Sequence, residues 1–178
     1  MNYLQNLDSQ LSHLIFQFIP HTSLTDILFS FLSLKGNSIV IWLLLLGILF
    51  LFEEKRNKKF LVYFITTFVI TSFIVIGIKD VIKRPRPCHV FQPIVSYHCP
   101  TDASFPSAHA AAAFASALIF AYFDKKRAGF YYGLAFLIAL SRVYFGYHYV
   151  GDVVGGGVLG IAVSYIILRN HRVTTRSI

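Results

Sequence analysis

The chain has 178 residues, of which 56% are apolar and 13% are charged. Soluble domains carry about 25% charged residues, so this composition argues against a soluble globule, and the high hydrophobicity excludes intrinsic disorder. An integral membrane protein fits both figures. The net charge of +8 would suggest a nucleic-acid partner for a soluble protein. In a membrane protein, basic residues instead fix the topology, so we expect no nucleic-acid partner.

Residues 1–34 are predicted to form interfacial helices. They contain no Lys or Arg, and no signal-peptide pattern is visible because no basic region precedes an apolar core. The apolar stretch 11–34 is interrupted by Pro20, His21 and Asp26. This pattern predicts short amphipathic helices at the outer membrane interface, and a sixth spanning helix is the alternative.

Five uncharged apolar stretches predict five spanning helices in one bundle. They cover residues 36–52, 60–78, 107–123, 128–141 and 153–168. Each is slightly shorter than the roughly 20 residues that cross a ~30 Å hydrocarbon core, so flanking residues are expected to complete each helix. The predicted fold is an all-α integral membrane protein, with a membrane-embedded domain over residues 35–178.

The distribution of basic residues predicts the orientation of this bundle. Residues 53–59, residues 124–127 and the tail after residue 168 hold ten of the sixteen Lys and Arg residues. Alternating helices place these three segments on one face, which the positive-inside rule makes the cytoplasm. The C-terminus is therefore expected in the cytoplasm. The loop with Cys88 and Cys99 is expected outside, where disulfides persist; a disulfide and two free thiols are equal alternatives.

Three polar clusters lie at the predicted outer ends of the spans, over residues 79–87, 104–109 and 141–152. Lys79, Arg86 and Arg142 are cations on the face that positive charge avoids, and their spacing indicates a shared anion. Arginine binds two phosphate oxygens at once, and lysine adds a point charge. For Lys83 and Arg84, contact with lipid phosphates is an equally good interpretation.

The other two clusters add a helix N-terminus and a pair formed by a histidine and an aspartate. Ser107 follows a proline at a predicted helix N-terminus, where free N–H groups bind anions. His148 and Asp152 are four residues apart, so on a helix the carboxylate could hold one imidazole nitrogen and leave the other free. Together with His109, these groups suit an enzyme that transfers a phosphoryl group. In such enzymes, fixed hydrogen-bond donors neutralise the charge on the group that is transferred.

These motifs resemble the type 2 phosphatidic acid phosphatases, also called lipid phosphate phosphatases. The family pattern is KxxxxxxRP, then PSGH, then SRxxxxxHxxxD. Ten of its eleven specified positions match between residues 79 and 152, and the departure is Ala108 where glycine is usual. The position contributes a backbone N–H, so alanine is expected to be tolerated there.

The resemblance implies a role for each matched residue. His148 is the nucleophile that forms a phosphohistidine, Asp152 orients it, and His109 is the general acid and then the base. The phosphate oxygens are held by Lys79, Arg86, Ser107, the Ala108 N–H and Arg142. Family members need no metal, so no metal or other cofactor is expected.

The small size resembles bacterial members, which implies an enzyme of the bacterial cell (inner) membrane with its site facing the periplasmic or extracytoplasmic side. Expected substrates are undecaprenyl diphosphate, lipid A 1-phosphate, phosphatidylglycerol phosphate and phosphatidic acid, among which the sequence does not choose. A multi-span transporter that binds an anion without hydrolysis is the main alternative. Transporters commonly carry polar sites at mid-membrane, whereas here they cluster at one face.

Overall fold

The structure is a computed structural model that describes residues 3–33, 40–45, 47, 58–90 and 99–174. Within these ranges every regular element is helical, which confirms the all-α prediction. Residues 40–45 and 47 form part of a helix, named α3, and a 3-10 turn covers Lys125–Arg127. The other helices are α1 (Tyr3–Phe18), α2 (Ser23–Ser33), α4 (Lys58–Ile82), α5 (Pro87–Val90), α6 (Ala108–Phe123), α7 (Ala128–Tyr144) and α8 (Val150–Thr174).

Two segments of the described chain are long and apolar enough to cross a membrane, Lys59–Val90 and Val150–Arg169. Helix α6 is apolar but has 16 residues, and α7 has 17. Four of the five predicted spans therefore coincide with helices. The predicted span 36–52 lies largely outside the described residues, so the number of spans stays a prediction.

The N-terminal segment forms two helices with a break between them. Helix α1 has 16 residues and α2 has 11, and residues 19–22 between them are not helical. A continuous helix over residues 11–34 is therefore not formed. Both helices pack against α7 or α8, which places the N-terminal segment beside the bundle.

Helix α6 lies at the centre and packs against α4, α7 and α8. Its alanines at 110, 111, 113, 115 and 117 are fully buried. A Cβ added at Gly160 of α8 would overlap the backbone carbonyl of Ala111, and one at Gly156 would overlap that of Ser107. Small residues on both helices thus allow their backbones to touch, as expected for helices that pack in lipid. This close approach fixes the start of α6 against the start of α8.

The two ends of the bundle differ in chemistry. At one end Phe120 packs against Trp42, Phe60 and Tyr131, with ring centroids 5.0–5.2 Å apart. At the other end α4 and α7 finish, while α6 and α8 begin. The three polar motifs lie at these four helix ends, so the alternating direction of the helices gathers them at one end of the bundle.

Candidate active site

A pair of buried cations lies where α4 ends. The side chains of Lys79 and Arg86 are 10% and 4% exposed. Both bind Asp102, with Lys79 Nζ 2.7 Å from Oδ2 and Arg86 Nη2 2.7 Å from Oδ1. Lys79 also donates to the carbonyl of Ala103, and Arg86 Nε donates to the carbonyl of Asp102 at 2.9 Å. One carboxylate therefore bridges two of the predicted phosphate-binding cations.

These two cations set the ionisation of Asp102. Partial burial alone would raise its pKa, but the Lys79 hydrogen bond and the charges of Arg86 and Lys79 lower the pKa of Asp102 to about 2. The Asp102 side chain is 57% exposed. It is therefore ionised at neutral pH.

His148 lies in the turn before α8, with its ring held from both sides. Arg86 Nη1 is 3.0 Å from Nε2. A guanidinium only donates hydrogen bonds, so Nε2 accepts and the ring proton of neutral His148 is on Nδ1. Burial lowers the pKa of His148 to about 3; the interaction with the Asp152 carboxylate opposes this, and the Arg86 and Arg142 charges reinforce it. The ring is therefore neutral, with its Nε2 lone pair directed at a cation.

The contact between His148 and Asp152 differs in form from the one the spacing predicts. Helix α8 begins at Val150, so the two residues do not stack along one helix. Nδ1 of His148 lies 3.6 Å from Asp152 Oδ2, and the Ser104 hydroxyl lies between them. It donates to Oδ2 and is 3.4 Å from Nδ1. Ser104, to which no role was assigned from sequence, thus connects the carboxylate to the imidazole.

Arg84 supplies the counter-charge of Asp152, which is fully buried. Arg84 Nη1 is 2.7 Å from Asp152 Oδ1, and Nη2 is 2.7 Å from Asp8 Oδ2 on α1. The guanidinium also stacks 4.0 Å above the ring of Tyr149. Asp8 accepts a further hydrogen bond from the N–H of Gly151 at 2.7 Å. The interpretation of Arg84 as a lipid-contacting surface cation is therefore wrong, since its side chain is 18% exposed and holds a buried carboxylate.

The second histidine lies in the first turn of α6. Ser107 is the N-cap of this helix, and its hydroxyl accepts from the N–H of Ala110 at 3.4 Å. Pro106 therefore precedes the cap and is not the first helical residue. Ala108 is the first residue of α6, and the N–H groups of a first turn have no carbonyl of their own helix to bind. Nε2 of His109 is buried and has no hydrogen-bond partner among the described residues. An unpartnered buried nitrogen is costly and is suited to a ligand oxygen.

Arg142, the third predicted phosphate-binding cation, is hydrogen-bonded to helix α2. Its Nη1 donates to the carbonyl and the hydroxyl of Ser33, both at 2.5 Å, and its guanidinium lies 4.6 Å from the Tyr147 ring centroid. Its Nε is buried without a partner among the described residues. Arg142 thus links α2 to the site and keeps one donor available.

A disulfide fixes the loop that carries Asp102 and Ser104. Cys88 and Cys99 are bonded, with Cα atoms 5.9 Å apart. The N–H of Ser104 donates to the carbonyl of Arg84 at 2.8 Å. These two connections hold residues 99–104 against the end of α4. Sequence reasoning gave no site role to Asp102, Ser104 or Asp8 and left the role of Arg84 open. The signal in the sequence was position, since Arg84 lies inside the first motif and Asp102 and Ser104 lie just before the second.

The chain is similar to known lipid phosphatases. Residues 60–176 match the family model described as the PAP2 superfamily. The chain is 33% identical over 138 residues to decaprenylphosphoryl-5-phosphoribose phosphatase of Mycobacterium tuberculosis, covering 76% of this chain and 75% of that protein. It is 28% identical over 151 residues to undecaprenyl-diphosphatase BcrC of Bacillus subtilis, covering 84% and 76%.

A solved structure shows the same fold. The crystal structure of Aquifex aeolicus LpxE superposes with a TM-score of 0.73 at 28% identity, covering 92% of this chain and 95% of that one. The fold and the named relatives identify a membrane-bound phosphatase that acts on lipid phosphates. The chain belongs to the PAP2 superfamily.

Proposed function

We propose that this enzyme removes a terminal phosphate from a polyprenyl phosphate or diphosphate through a phosphohistidine on His148. The observation that carries the proposal is the contact between Arg86 Nη1 and His148 Nε2 at 3.0 Å. It requires the tautomer in which Nε2 carries no proton, and it puts the Nε2 lone pair beside a phosphate-binding cation. A histidine in this state can attack phosphorus without first losing a proton.

The reaction would proceed in two steps. In the first, Nε2 of His148 bonds to phosphorus as the bond to the leaving oxygen breaks, and His109 gives that oxygen a proton. In the second, His109 takes a proton from water as the water oxygen attacks the phosphohistidine, which releases phosphate and restores both rings. The orphaned Nε2 of His109 supports this role because it is buried and free to bind the leaving oxygen.

The cationic groups would stabilise the transferring phosphoryl group. Lys79 and Arg86 are buried, Arg86 contacts the His148 ring, and the first turn of α6 adds N–H donors at Ala108 and His109. Asp152 would stabilise the positive charge that develops on His148, through Ser104. No step of this scheme needs a metal ion.

Two relatives favour a polyprenyl substrate over the other three lipid classes. One is named for undecaprenyl diphosphate and the other for a decaprenyl-linked phosphoribose phosphate. The exposed apolar side chains of α4, among them Val62, Val69, Phe73 and Ile76, provide a surface along which a long hydrocarbon tail could lie in the bilayer. We propose undecaprenyl diphosphate as the preferred substrate.

A phosphate-release assay with purified protein in detergent tests this function. The panel holds undecaprenyl diphosphate, lipid A 1-phosphate, phosphatidylglycerol phosphate and phosphatidic acid at equal mole fraction in the micelle. We expect the highest kcat/KM on undecaprenyl diphosphate and none above background for His148→Ala, with His13→Ala on α1 as the matched histidine control. Highest turnover on another lipid would contradict the substrate assignment, and release that survives in His148→Ala would contradict the nucleophile.

The site is further proposed to face away from the cytoplasm. The polar motifs lie at one end of the bundle, and the Lys125–Arg127 turn lies between α6 and α7 at the other end. The positive-inside rule assigns the basic end to the cytoplasm. Substrate would therefore be drawn from the outer leaflet of the cell membrane.

A further inference from the structure

The first turn of α8 is capped by side chains of α1. The N–H of Val150 donates to the Ser12 hydroxyl at 2.9 Å, and the N–H of Gly151 donates to Asp8 Oδ1 at 2.7 Å. The Ser12 hydroxyl donates in turn to the Asp8 carbonyl at 2.6 Å. The first N–H groups of a helix have no partner within their own helix, and here two residues of a distant helix bind them. Helix α1 therefore holds the start of α8, the helix that directly follows the turn with His148.

The contact between Asp8 and the start of α8 depends on a glycine. A Cβ added at Gly151 would lie 2.7 Å from Asp8 Oδ2 and 3.1 Å from Asp8 Cγ. Any side chain at this position would therefore displace the carboxylate. The Asp8 side chain is 16% exposed, so it is largely enclosed between α1, α8 and Arg84.

Asp8 also shares a counter-charge with the residue that supports the nucleophile. Arg84 Nη2 is 2.7 Å from Asp8 Oδ2, and Arg84 Nη1 is 2.7 Å from Asp152 Oδ1. One guanidinium thus lies between two carboxylates, and the three groups together carry a net negative charge. This group adjoins the Nδ1 side of His148, to which Asp152 is connected through Ser104.

We propose that Asp8 is a positioning residue for phosphoryl transfer to His148. The inference rests on the proposed function, because Asp8 acts through the same nucleophile. Positive charge develops on the ring as Nε2 bonds to phosphorus, and fixed negative charge beside Nδ1 stabilises it. Asp8 offsets the charge of Arg84 and so preserves the effect of Asp152 on the ring. Without Asp8, the guanidinium is paired with Asp152 alone, and the net negative charge beside the ring is lost.

This role affects the rate of transfer and the binding of substrate in different ways. A carboxylate stabilises a developing positive charge, but it attracts no anionic substrate. Removal of the Asp8 charge should therefore slow the attack by His148 without weakening the binding of a phosphate ester. Asp8 lies outside residues 60–176, which match the family model, so the N-terminal helix would add to the site a group that the family motif does not contain.

Steady-state kinetics on nitrophenyl phosphate test the proposal, because kcat/KM reports the first chemical step. A non-hydrolysable analogue, nitrobenzylphosphonate, measures binding separately as an inhibitor. The variants are Asp8→Asn, which removes the charge, and Ser12→Ala, which removes a cap of α8 but no charge. Asp124→Asn is the matched control. Its carboxylate is 12% exposed and is paired with Arg127 at 3.0 Å, at the other end of the bundle.

We expect kcat/KM to fall about ten-fold in Asp8→Asn, about three-fold at most in Ser12→Ala, and not at all in Asp124→Asn. The inhibition constant of the phosphonate should not rise in any of them. Each protein is assayed as a monodisperse sample well below its own melting temperature, so that loss of folded protein does not contribute. If Asp8→Asn does not give such a sample, Asp8→Ala removes the same charge and is judged by the same values.

Amide hydrogen exchange tests the capping contact without requiring turnover. Peptides that contain Val150 and Gly151 should exchange about 2–10-fold faster in Ser12→Ala and in Asp8→Ala, because each variant removes one hydrogen-bond acceptor. Exchange at the same peptides should be unchanged in Asp124→Asn. Equal exchange in all of these proteins would show that α1 does not hold the start of α8.

Four kinetic results would overturn the catalytic part of the proposal. These are an unchanged kcat/KM in Asp8→Asn, an equal fall in Asp124→Asn, an equal fall in Ser12→Ala, and a fall that a higher inhibition constant fully explains. The last two would mean that Asp8 acts only by packing or by binding. If wild type hydrolyses neither lipid nor aryl phosphates, the proposed function fails and the catalytic part fails with it, whereas hydrogen exchange still decides whether α1 caps α8.

Discussion

Arg84 and Asp152 form a buried ion pair, 2.7 Å between Nη1 and Oδ1, that connects the first helix of the chain to the candidate nucleophile. Asp152 is fully buried and reaches His148 through Ser104. The other nitrogen of the same guanidinium binds Asp8 on α1. The N-terminal helix is therefore part of the support of the site, although its sequence carries none of the family motif.

Replacing Arg84 with alanine should destabilise the protein and reduce its activity. The change leaves the Asp152 carboxylate buried without its counter-charge, which typically costs about 3–5 kcal/mol. Thermal unfolding in detergent measures the first effect, and phosphate release per folded molecule measures the second. Arg84→Lys should recover part of both, since it restores the charge but not the two-pronged geometry. A melting temperature equal to that of wild type in Arg84→Ala would contradict the pairing.

Varying the leaving group of the substrate should distinguish the catalytic roles of the two candidate histidines. His148→Ala should fail on lipid and aryl phosphates alike, because no nitrogen remains to attack. His109→Ala should lose about 10²–10⁴-fold on the lipid, whose alkoxide or phosphate leaves poorly without a proton. On a nitrophenyl phosphate it should complete the first step and accumulate phosphoenzyme, because no base activates water. An acid-labile, base-stable phosphate label is the readout, and finding it on His148→Ala instead would reverse the two roles.

The stability of the protein should fall as the pH decreases below neutrality. His148 has a pKa of about 3 when folded and an ordinary value of about 6.5 when unfolded. Between these values the unfolded chain binds a proton that the folded one does not, so acid favours unfolding by about 1.4 kcal/mol per pH unit. His148→Gln should flatten the dependence of unfolding on pH, because it removes the group that titrates differently in the two states. Equal slopes in His148→Gln and wild type would refute the assignment.

The contact between α6 and α8 should not tolerate a methyl group at Gly160. A Cβ there would overlap the Ala111 carbonyl, and overpacking of this kind costs about 1–3 kcal/mol. Gly160→Ala should therefore lower the melting temperature and, by moving α8 relative to α6, the activity. Gly133→Ala on α7 is the control, since a Cβ there meets nothing within 4 Å. Equal melting temperatures for the two variants would show that the helices are not in backbone contact.

Single cysteines should reveal the orientation of the site in intact cells. In a background without Cys88 and Cys99, cysteines placed at positions 90–98 should react with a membrane-impermeant thiol reagent, because this loop is expected outside. Cysteines at positions 54–59 should react only after the cells are permeabilised. The opposite pattern would place the site in the cytoplasm and change the leaflet that supplies substrate.

The sequence alone determined the helical class and the residues that match the family motif. Apolar stretches without charge have few other stable forms in lipid, because each backbone group must be bonded within its own segment. The spacing of the motif residues, among them His148 and Asp152, indicated the reaction class, because phosphoryl transfer needs a few specific side chains. Neither inference depended on which helices are neighbours.

Only the tertiary structure decided how those residues are supported. Asp8 and Arg84 are 76 positions apart in sequence, and Arg84 and Asp152 are 68 apart, so no local pattern predicts their contact. The bridging of His148 and Asp152 by Ser104, and the occupation of Lys79 and Arg86 by Asp102, likewise depend on how one loop lies against the ends of four helices. Such contacts arise from packing between distant segments, which leaves no periodicity in the sequence to read.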